Sequence, residues 1–439
     1  MSRCRATSLA RKRRAAAGAG PVGGLLASDR EVVTAGRRGG VGPGLNGLHG
    51  GSGVGGLPQR AGPVAQQPVR PTHCAAGGPD QRLAFGQNPQ MPAAPAPLAI
   101  EYASNLRALN SFGLPAVAHT LVHIRSDADV RRTLDHPALG RAPKLVLGGG
   151  SNLVLTRDPP AVVLRVAVAG RRLLERRDDA WIVEFGAGEN WHDAVTWCQD
   201  QGLPGLENLA LIPGTVGAAP VQNIGAYGLE LADRFESLDA VDLVTGRGVT
   251  LGAAACRFSY RDSVFKQTGF GGLAGKSLIT RVRLRLPRPW QPVRGYLDIE
   301  RKMAETGNAA PDAGTLLDWV VAIRRAKLPD PAVLGNAGSF FKNPVVSAEQ
   351  CRDIIGRDPH LVHYPLADGR FKLAAGWLID ACGWKGKAVG GAAVYERQAL
   401  VLVNKGGATG AEVVILARAI QESVYGRFGI RLEPEPVIV

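Results

Sequence analysis

The sequence predicts an α+β fold, and three kinds of segment support that prediction. Short apolar runs such as 145–147 and 162–166 have the length of buried strands, and glycine-rich turns follow several of them. Helical segments with capping residues lie between the strands. Segment 410–428 repeats apolar residues at the spacing of a long amphipathic helix. The chain of 439 residues is long enough for two or three domains.

Residues 1–100 differ in composition from the rest of the chain. They contain 19 glycines and 11 prolines, and Phe85 is their only aromatic residue. Such a segment buries too little apolar surface to offset its ordering entropy, so we predict that it is disordered. No apolar segment typical of a secretory signal follows the basic run 11–14. A sharper hypothesis places the translation start at Met91, and the intact mass of the natively expressed protein tests it.

Charge and cysteine usage exclude several classes of protein. The first hundred residues contribute +9 of the net charge of +14, so the remainder is only mildly basic and predicts no nucleic-acid partner. No apolar run approaches the roughly 20 residues of a membrane span. The six cysteines are far apart, which disfavours a zinc site or a disulfide framework and favours a reducing cytoplasm.

The predicted elements follow in chain order, and the folded region is expected to begin near Asn105. Strands are predicted at 121–124, 145–147, 162–166, 181–185, 238–244, 250–251, 278–286 and 399–403, with a hairpin turn at 246–248. Helices are predicted at 316–326, 373–382 and 410–428, and after the capping residues Ser126, Asn190 and Ser347. Segment 432–437 is predicted to be extended, because prolines flank Glu435.

Two glycine-rich loops are the main candidates for a ligand site. Gly148–Asn152 directly follows a predicted strand, and the longer loop, 212–228, contains no charged residue. Glycine lets the backbone approach a ligand closely, and backbone N–H groups at such turns bind phosphate oxygens. Gln222 and Asn223 add amide groups suited to the edge of a heterocycle. We therefore predict a ligand cradle, although a plain turn is the usual alternative.

Two other patterns do not favour a site. Segment 271–277 resembles a phosphate-binding P-loop but is one residue short and follows no apolar strand, so a nucleotide hydrolase is not favoured. His119 and His123 lie on one predicted strand with no third ligand nearby, which favours structural histidines over a metal site.

Several motifs together resemble one family. In order they are 110–113, 148–152, 186–191, 213–228, 260–266, 327–331, 335–344, 372–380 and 432–435. In this order and spacing they are similar to the UDP-N-acetylenolpyruvoylglucosamine reductases, flavin enzymes of bacterial cell-wall precursor synthesis. The resemblance covers essentially all of the chain beyond residue 100. Tyr296, followed by Asp298, resembles the mobile tyrosine loop of type I members.

The chain also departs from the family pattern. Ala218-Ala219 stands where some members carry two serines, so a hydroxyl near the flavin is missing and backbone N–H groups are left to serve. The glycine-rich segment 267–276 does not match the family closely, and no role is predicted for it.

The resemblance implies a two-part FAD-binding fold of the vanillyl-alcohol-oxidase type plus a C-terminal α+β substrate domain. The implied ranges are 101–170 and 171–328 for the FAD-binding parts, with 430–439 joined to the first, and 329–429 for the substrate domain. The implied reaction uses FAD and NADPH to reduce UDP-N-acetylenolpyruvoylglucosamine to UDP-N-acetylmuramate. NADPH and substrate are expected to alternate in one cleft of a cytoplasmic monomer without a metal.

The resemblance assigns residues to both halves of the site. The flavin cradle is expected to comprise Gly148, Gly149, Gly150, Ser151, Asn152, Pro213, Gly214, Thr215, Val216, Gly217, Ala219, Gln222, Asn223, Gly225 and Tyr227. The substrate diphosphate is assigned to Tyr296, Arg324, Lys327 and Asn343, with Gln398 as a further candidate. Two cations, an amide and a phenol suit a dianionic pyrophosphate. Without the resemblance, the glycine loops would be structural and Arg324 and Lys327 would form a solvated helix end.

Three residues are assigned to the chemistry. Ser339 is implied as the proton donor, Arg261 as the cation that binds the substrate carboxylate, and Glu435 as a hydrogen-bond donor when protonated. Gly338 is expected to permit close approach, and Lys342 to make the Ser339 hydroxyl more acidic. From the residues alone, Ser339 would cap a turn and Arg261 would pair with Asp262.

Two other functions stay open at this point. Another flavin oxidase or dehydrogenase of the same fold would act on an alcohol or hydroxy acid, but such enzymes lack the stretch 335–344. A non-catalytic UDP-sugar-binding protein is disfavoured because every catalytic position is filled. The absorption spectrum of the purified protein separates enzyme from binder.

Overall fold

The computed structural model describes residues 97–269 and 271–439. The prediction of disorder for the first hundred residues and the hypothesis of a start at Met91 lie outside the described residues, apart from 97–100.

The first sheet supplies the strand that leads into the first glycine loop. The region of this sheet contains β1 (Ala99–Asn105), β2 (Val117–Ile124), α1 (Asp127–Asp135), β3 (Lys144–Leu147), β4 (Leu153–Val154) and β5 (Val162–Val166). The strand order in the sheet is β1-β2-β5-β3, and β4 lies outside it. Strands β2, β5 and β3 are parallel, and β1 runs antiparallel to β2. The folded region therefore begins before Asn105, because β1 forms an edge strand that the sequence reasoning did not predict.

A second, antiparallel sheet follows. Its region contains β6 (Arg171–Arg176), β7 (Ala180–Gly186), α2 (Trp191–Asp200), β8 (Gly225–Ala226), β9 (Leu229–Glu230), β10 (Phe235–Asp242), β11 (Gly248–Gly252), α3 (Ala253–Cys256), β12 (Ser277–Pro287), α4 (Leu297–Thr306) and α5 (Ala313–Lys327). The strand order is β11-β10-β12-β7-β6, and the hairpin β10–β11 is confirmed. On the outer face, Arg283 pairs with both Glu184 and Asp239, while Val282 and Leu284 are buried beneath.

The C-terminal part contains two small sheets and three helices. Its elements are β13 (Asn336–Ser339), β14 (Val345–Val346), α6 (Ala348–Arg357), β15 (His363–Pro365), β16 (Phe371–Leu373), α7 (Ala375–Ala381), β17 (Ala388–Val389), β18 (Ala392–Val394), β19 (Val401–Asn404), α8 (Gly410–Phe428) and β20 (Val437–Ile438). The sheets have the orders β13-β19-β18-β17 and β14-β16-β15. Strand β20 pairs with β4, so the chain end returns to the first glycine loop.

The predicted helix caps are confirmed. The side chains of Ser126, Asn190 and Ser347 accept hydrogen bonds from the backbone N–H groups three residues on, at 3.3, 3.1 and 3.1 Å. Each such cap contributes about 1 kcal/mol, because it satisfies an N–H group that has no partner within the helix. Helix α8 has the predicted bounds, with a capping box between Thr409 and Glu412.

The cores fix where the site lies. One core joins the first sheet to the second and includes Val122, Leu164, Phe185 and Trp191. Another packs α8 against β19 and encloses Phe340, directly after Ser339. Each fully buried large apolar side chain contributes about 1.5–3 kcal/mol, so both cores hold their loops firmly. The extended segment 432–436 runs beside 340–342, through the bond from the Lys342 N–H to the Glu433 carbonyl (3.0 Å) and the bond from the Glu435 N–H to the Phe340 carbonyl (2.9 Å).

Candidate functional site

The two predicted glycine loops both line one cavity of about 430 Å³. Gly148–Asn152 follows β3 directly, and a 3-10 helix spans Val216–Gln222 of the other loop. The Ser151 hydroxyl donates to the Pro213 carbonyl at 2.9 Å, and the Asn152 amide donates to Gln222. A Cβ at Gly149 would lie 2.8 Å from the Gly214 Cα, so glycine is needed where the loops meet.

Ten of the fifteen residues assigned to the flavin cradle line this cavity: Gly148, Gly149, Gly150, Ser151, Asn152, Pro213, Thr215, Gly217, Ala219 and Gln222. The other five, Gly214, Val216, Asn223, Gly225 and Tyr227, do not line it. Gly214 and Val216 support their neighbours in the loop, and Val216 is fully buried. Asn223 donates to Glu230 and to the Ser259 carbonyl, and the Gly225 carbonyl accepts from Arg261. Asn223 and Gly225 therefore fix the position of the loop without lining the cavity.

Four further polar residues line the cavity although none was assigned to the flavin cradle: Lys144, Lys266, Thr268 and Ser277. Thr268 belongs to the segment 267–276, for which no role was predicted, and Gly275 of the same segment also faces the cavity. The Lys266 ammonium donates to the backbone carbonyl of Glu435 at 3.3 Å. The only available sequence signal was the position of Lys266 at the end of the family-like stretch 260–266.

The Thr215 hydroxyl oxygen indicates that the cavity takes a ligand. It is buried and has no hydrogen-bond partner among residues 97–269 and 271–439, although Thr215 lines the cavity. Buried polar groups without a partner are rare, and a bound polar ligand is one way to satisfy them. The glycine loops, the N–H groups that they expose and this hydroxyl suit the phosphates of a dinucleotide such as FAD.

Arg261 and Glu435 form an ion pair beside the cavity. The Arg261 Nε lies 3.1 Å from the Glu435 carboxylate, and an Arg261 guanidinium N–H donates to the Gly225 carbonyl at 2.8 Å. The alternative pairing of Arg261 with Asp262 is not observed, since Asp262 accepts from the Ser263 N–H and from Gln267. Arg261 has a φ of +55°, a left-handed conformation that costs a non-glycine residue free energy and often occurs at functional sites.

The Glu435 carboxyl lies in an environment that favours its neutral form. Its residue is 9% exposed, and burial raises its pKa, while Arg261, Lys266 and Lys342 act in the opposite direction. Burial outweighs the three cations because desolvation disfavours the charged carboxylate. The raised pKa widens the pH range over which Glu435 is protonated and able to donate a hydrogen bond.

Ser339 ends β13 next to this pair. It pairs with Val401 on β19, and the following carbonyl, that of Phe340, accepts the Glu435 N–H at 2.9 Å. Gly338 has a φ of +68°, and a Cβ there would contact nothing within 4 Å. The left-handed backbone conformation therefore explains why glycine occupies position 338, and close packing does not. Lys342, expected to act on Ser339, instead pairs with Glu433 at 3.2 Å.

The residues assigned to the diphosphate lie in two groups. In the first, Tyr227 lies close enough to Arg324 to affect its pKa, and the Tyr227 ring packs edge-on against Tyr296 at a centroid distance of 5.2 Å. Lys327 pairs with Asp298 at 2.6 Å. Tyr227 therefore contacts two of the residues assigned to the diphosphate and does not line the flavin cavity.

Arg324 carries the features expected of an anion-binding residue. Its Nε is buried without a partner, and in the described ranges no carboxylate lies within 4.0 Å of its guanidinium. Burial lowers its pKa, and the neighbouring Arg261 acts in the same direction, while Tyr227 opposes them. A diphosphate would offset the cost of holding this cation in a buried position.

The second group lies at the start of α7. The Asn343 side-chain oxygen accepts from the Ala375 N–H at 2.9 Å, and the Gln398 side-chain oxygen accepts from the Leu400 N–H at 3.3 Å. The Tyr260 hydroxyl accepts from the Asn343 N–H at 3.4 Å, which brings this group towards Arg261. Lys372 lies 4.2 Å above the Tyr260 ring and adds a cation that the sequence reasoning missed.

Tyr296 ends the irregular segment 288–296 and is the N-terminal capping position of α4, with extended backbone (φ −121°, ψ 129°). It is 40% exposed, and burial of its hydroxyl, with Asp298 and Tyr364 nearby, raises its pKa to about 12. Tyr296 is therefore neutral at physiological pH and able to donate a hydrogen bond.

The two histidines considered for a metal site contact other side chains. His123 contacts Glu101 at 2.7 Å and His119 contacts Thr120 at 3.2 Å. In residues 97–269 and 271–439 no group of three His, Cys, Asp or Glu side chains is arranged to hold a metal ion. No helix within those ranges has the length and apolar character needed to cross a membrane.

Comparison with known proteins finds two family models that match this chain. Residues 118–252 match a family model described as an FAD binding domain, and residues 330–439 match one described as the C-terminal domain of UDP-N-acetylenolpyruvoylglucosamine reductase. The fold and these matches thus define an FAD-binding flavoprotein oxidoreductase.

Relatives of the same description extend over most of the chain. A protein named UDP-N-acetylenolpyruvoylglucosamine reductase from Azoarcus sp. strain BH72 is 57% identical over 347 residues, 78% of this chain and 99% of the relative. One from Burkholderia vietnamiensis is 57% identical over 350 residues, 79% and 99% of the two chains. The crystal structure of the enzyme of this name from Thermus caldophilus is 26% identical, with a TM-score of 0.52, and covers 78% of this chain and 98% of its own. The chain belongs to the UDP-N-acetylenolpyruvoylglucosamine reductase family, as the motifs predicted.

Proposed function

We propose that this protein is an FAD-dependent reductase that converts UDP-N-acetylenolpyruvoylglucosamine to UDP-N-acetylmuramate with NADPH, a step in peptidoglycan precursor synthesis. One contact carries the proposal beyond family membership. The Asn152 side chain, on the first glycine loop, donates to the Glu435 carbonyl at 3.2 Å. The flavin cavity and the Arg261–Glu435 pair are therefore parts of one site.

Binding of the cofactor is assigned to the two loops that line the cavity. Backbone N–H groups of Gly148–Ser151 are suited to the pyrophosphate, and Asn152 and Gln222 to polar edges of the cofactor. When bound, FAD would supply the two-electron redox chemistry between NADPH and the enolpyruvyl group. The protein supplies orientation, electrostatics and the proton.

The protein residues act on the charge that develops at C2 and its carboxylate. Arg261 is placed to bind the carboxylate through its guanidinium, which the Gly225 carbonyl orients. Burial raises the pKa of Glu435, and when protonated this carboxyl donates a hydrogen bond to the developing charge. Ser339 delivers the proton to C2 from the adjacent strand, so its hydroxyl is the general acid.

Arg324 and Lys327 bind the diphosphate, with Asn343 and Gln398 at the start of α7. Tyr296 closes over it from the end of α4. Lys327 is paired with Asp298 at 2.6 Å. This ion pair must break before the Lys327 ammonium can bind the diphosphate. The lid therefore includes the start of α4 and not only a loop.

We retain the three-part division 101–170, 171–328 and 329–429, with 430–439 joined to the first part. The separate sheets support it, since each four- or five-stranded sheet lies within one of these ranges apart from the first two residues of β1. The pairing of β20 with β4 supports the return of the chain end to the first part. The cytoplasmic location and the monomeric state remain predictions.

The proposal is tested by following NADPH oxidation and sugar-nucleotide product together in the purified, FAD-loaded protein. We expect one UDP-N-acetylmuramate formed per NADPH oxidised, and a loss of turnover in Arg261→Gln. Arg370→Gln is the matched control, because Arg370 is exposed and paired only with Asp368. Oxidation of NADPH without product, or turnover with a simple alcohol or hydroxy acid, would support the oxidase alternative instead.

A further inference from the structure

Lys266 lies where the flavin cavity meets the reacting groups. It lines the cavity, and its ammonium donates to the Glu435 carbonyl at 3.3 Å. The same carbonyl accepts from the Asn152 side chain at 3.2 Å. Lys266 therefore marks the end of the cavity that adjoins Arg261 and Glu435. Under the proposed function, the reactive ring of the flavin must lie at this end, because the electrons pass from it to the bound sugar nucleotide.

The charge of Lys266 is not neutralised by an ion pair. Across the described ranges no carboxylate oxygen lies within 4.0 Å of its ammonium, whereas Lys342 nearby pairs with Glu433 at 3.2 Å. Its hydrogen-bond acceptor is a neutral backbone carbonyl, and an ammonium has three N–H donors. Burial lowers the pKa of Lys266, and repulsion from Lys342 adds to this effect, while Glu435 and Asp262 oppose it. A negative charge in the cavity would stabilise this lysine.

We propose that Lys266 is the electrostatic partner of the flavin ring, and that it raises the flavin reduction potential by stabilising the reduced cofactor. The proposal rests on the proposed function, because it assumes FAD in this cavity. A neutral ring that receives a hydride gains one negative charge, so a fixed cation beside it favours the reduced form over the oxidised form. Charge near the flavin ring is one of the protein's means of tuning its electronics.

The test is the midpoint potential of the FAD-loaded protein, titrated anaerobically without NADPH or sugar nucleotide. Lys266→Gln keeps an N–H donor for the Glu435 carbonyl but removes the charge, and Lys266→Arg keeps the charge. We expect Lys266→Gln to lose at least tenfold in the preference for reduced flavin, a potential lower by about 30 mV for a two-electron couple. Lys266→Arg should stay close to wild type. Lys276→Gln, ten residues further on and exposed, should not change the potential.

An unchanged potential in Lys266→Gln would overturn the proposal and leave Lys266 as a tie for the Glu435 backbone. An equal fall in Lys276→Gln would overturn it too, since any nearby charge would then serve. Lys266→Met is the second charge-free variant. If neither Lys266→Gln nor Lys266→Met retains FAD, Lys266 determines binding and not potential, and the proposal fails. A wild-type protein without flavin would instead overturn the proposed function itself.

Discussion

Gly149 offers the sharpest test of how the two glycine loops form the cavity. The substitution is Gly149→Ala, which adds a single Cβ at the point where the loops meet. That atom would lie 2.8 Å from the Gly214 Cα and 3.2 Å from the Gly214 carbonyl carbon. Both neighbours are backbone atoms, so no side chain can rotate away. The loops must separate by about 0.6 Å to reach the closest ordinary contact of 3.4 Å.

The expected magnitude follows from the cost of overpacking. Forcing an extra methyl group into a well-packed contact costs about 1–3 kcal/mol. If that strain opens the cradle, the affinity for FAD falls by about 5- to 150-fold, since each 1.4 kcal/mol is a factor of ten. Gly248→Ala is the control, because a Cβ at that exposed strand start meets nothing within 4 Å.

The assay is the dissociation constant of FAD for the apoprotein, measured by quenching of flavin fluorescence, with the thermal unfolding of the apoprotein recorded in parallel. The reasoning is refuted if Gly149→Ala binds FAD as tightly as wild type and unfolds at the same temperature. It is also refuted if Gly248→Ala weakens binding to the same extent, because the loss would then not depend on contact between the loops.

Three further predictions concern the chemistry. Tyr296→Phe should raise the KM for the sugar nucleotide much more than the KM for NADPH, and equal effects in steady-state kinetics would contradict the lid assignment. Ser339→Ala should leave flavin reduction by NADPH near normal but slow reoxidation by the sugar nucleotide by orders of magnitude in stopped flow, whereas loss of FAD or equal slowing would make Ser339 structural. Because burial raises the pKa of Glu435, its hydrogen-bond donor is present at low pH and lost as the pH rises through that raised pKa. A fall in kcat on this alkaline side should therefore be absent in Glu435→Gln, and its persistence there would assign it to another group.

Local features of the fold were largely predictable from the sequence. The caps at Ser126, Asn190 and Ser347 depend on residues three positions apart, so composition and spacing suffice to find them. Strand β1 was missed because it is an edge strand with exposed residues, among them Tyr102 at 69% exposure. Helix α4 was missed because the resemblance directed attention to Tyr296 as part of a loop, although Leu297, Ile299 and Met303 follow it.

Contacts between segments far apart in the sequence were harder to predict. From neighbouring residues alone, Arg261 would pair with Asp262, yet the fold brings Glu435 from the end of the chain to 3.1 Å. Tyr227 was grouped with the flavin loop by its position in the sequence. Asn223, with a φ of +44°, turns the chain in a left-handed conformation just before it, and Tyr227 reaches Arg324 instead. The sequence around Lys266 places this residue in a family-like stretch but does not indicate that it lines the cavity. Only the fold shows this.

The central claim is that one cavity holds a flavin that NADPH reduces and the enolpyruvyl sugar nucleotide reoxidises. The most direct measurement is the visible absorption spectrum of the purified protein during two anaerobic additions. We predict a flavin spectrum that NADPH bleaches and that UDP-N-acetylenolpyruvoylglucosamine restores. A colourless protein that cannot be loaded with FAD, or a bleached flavin that this substrate leaves reduced, would contradict the claim.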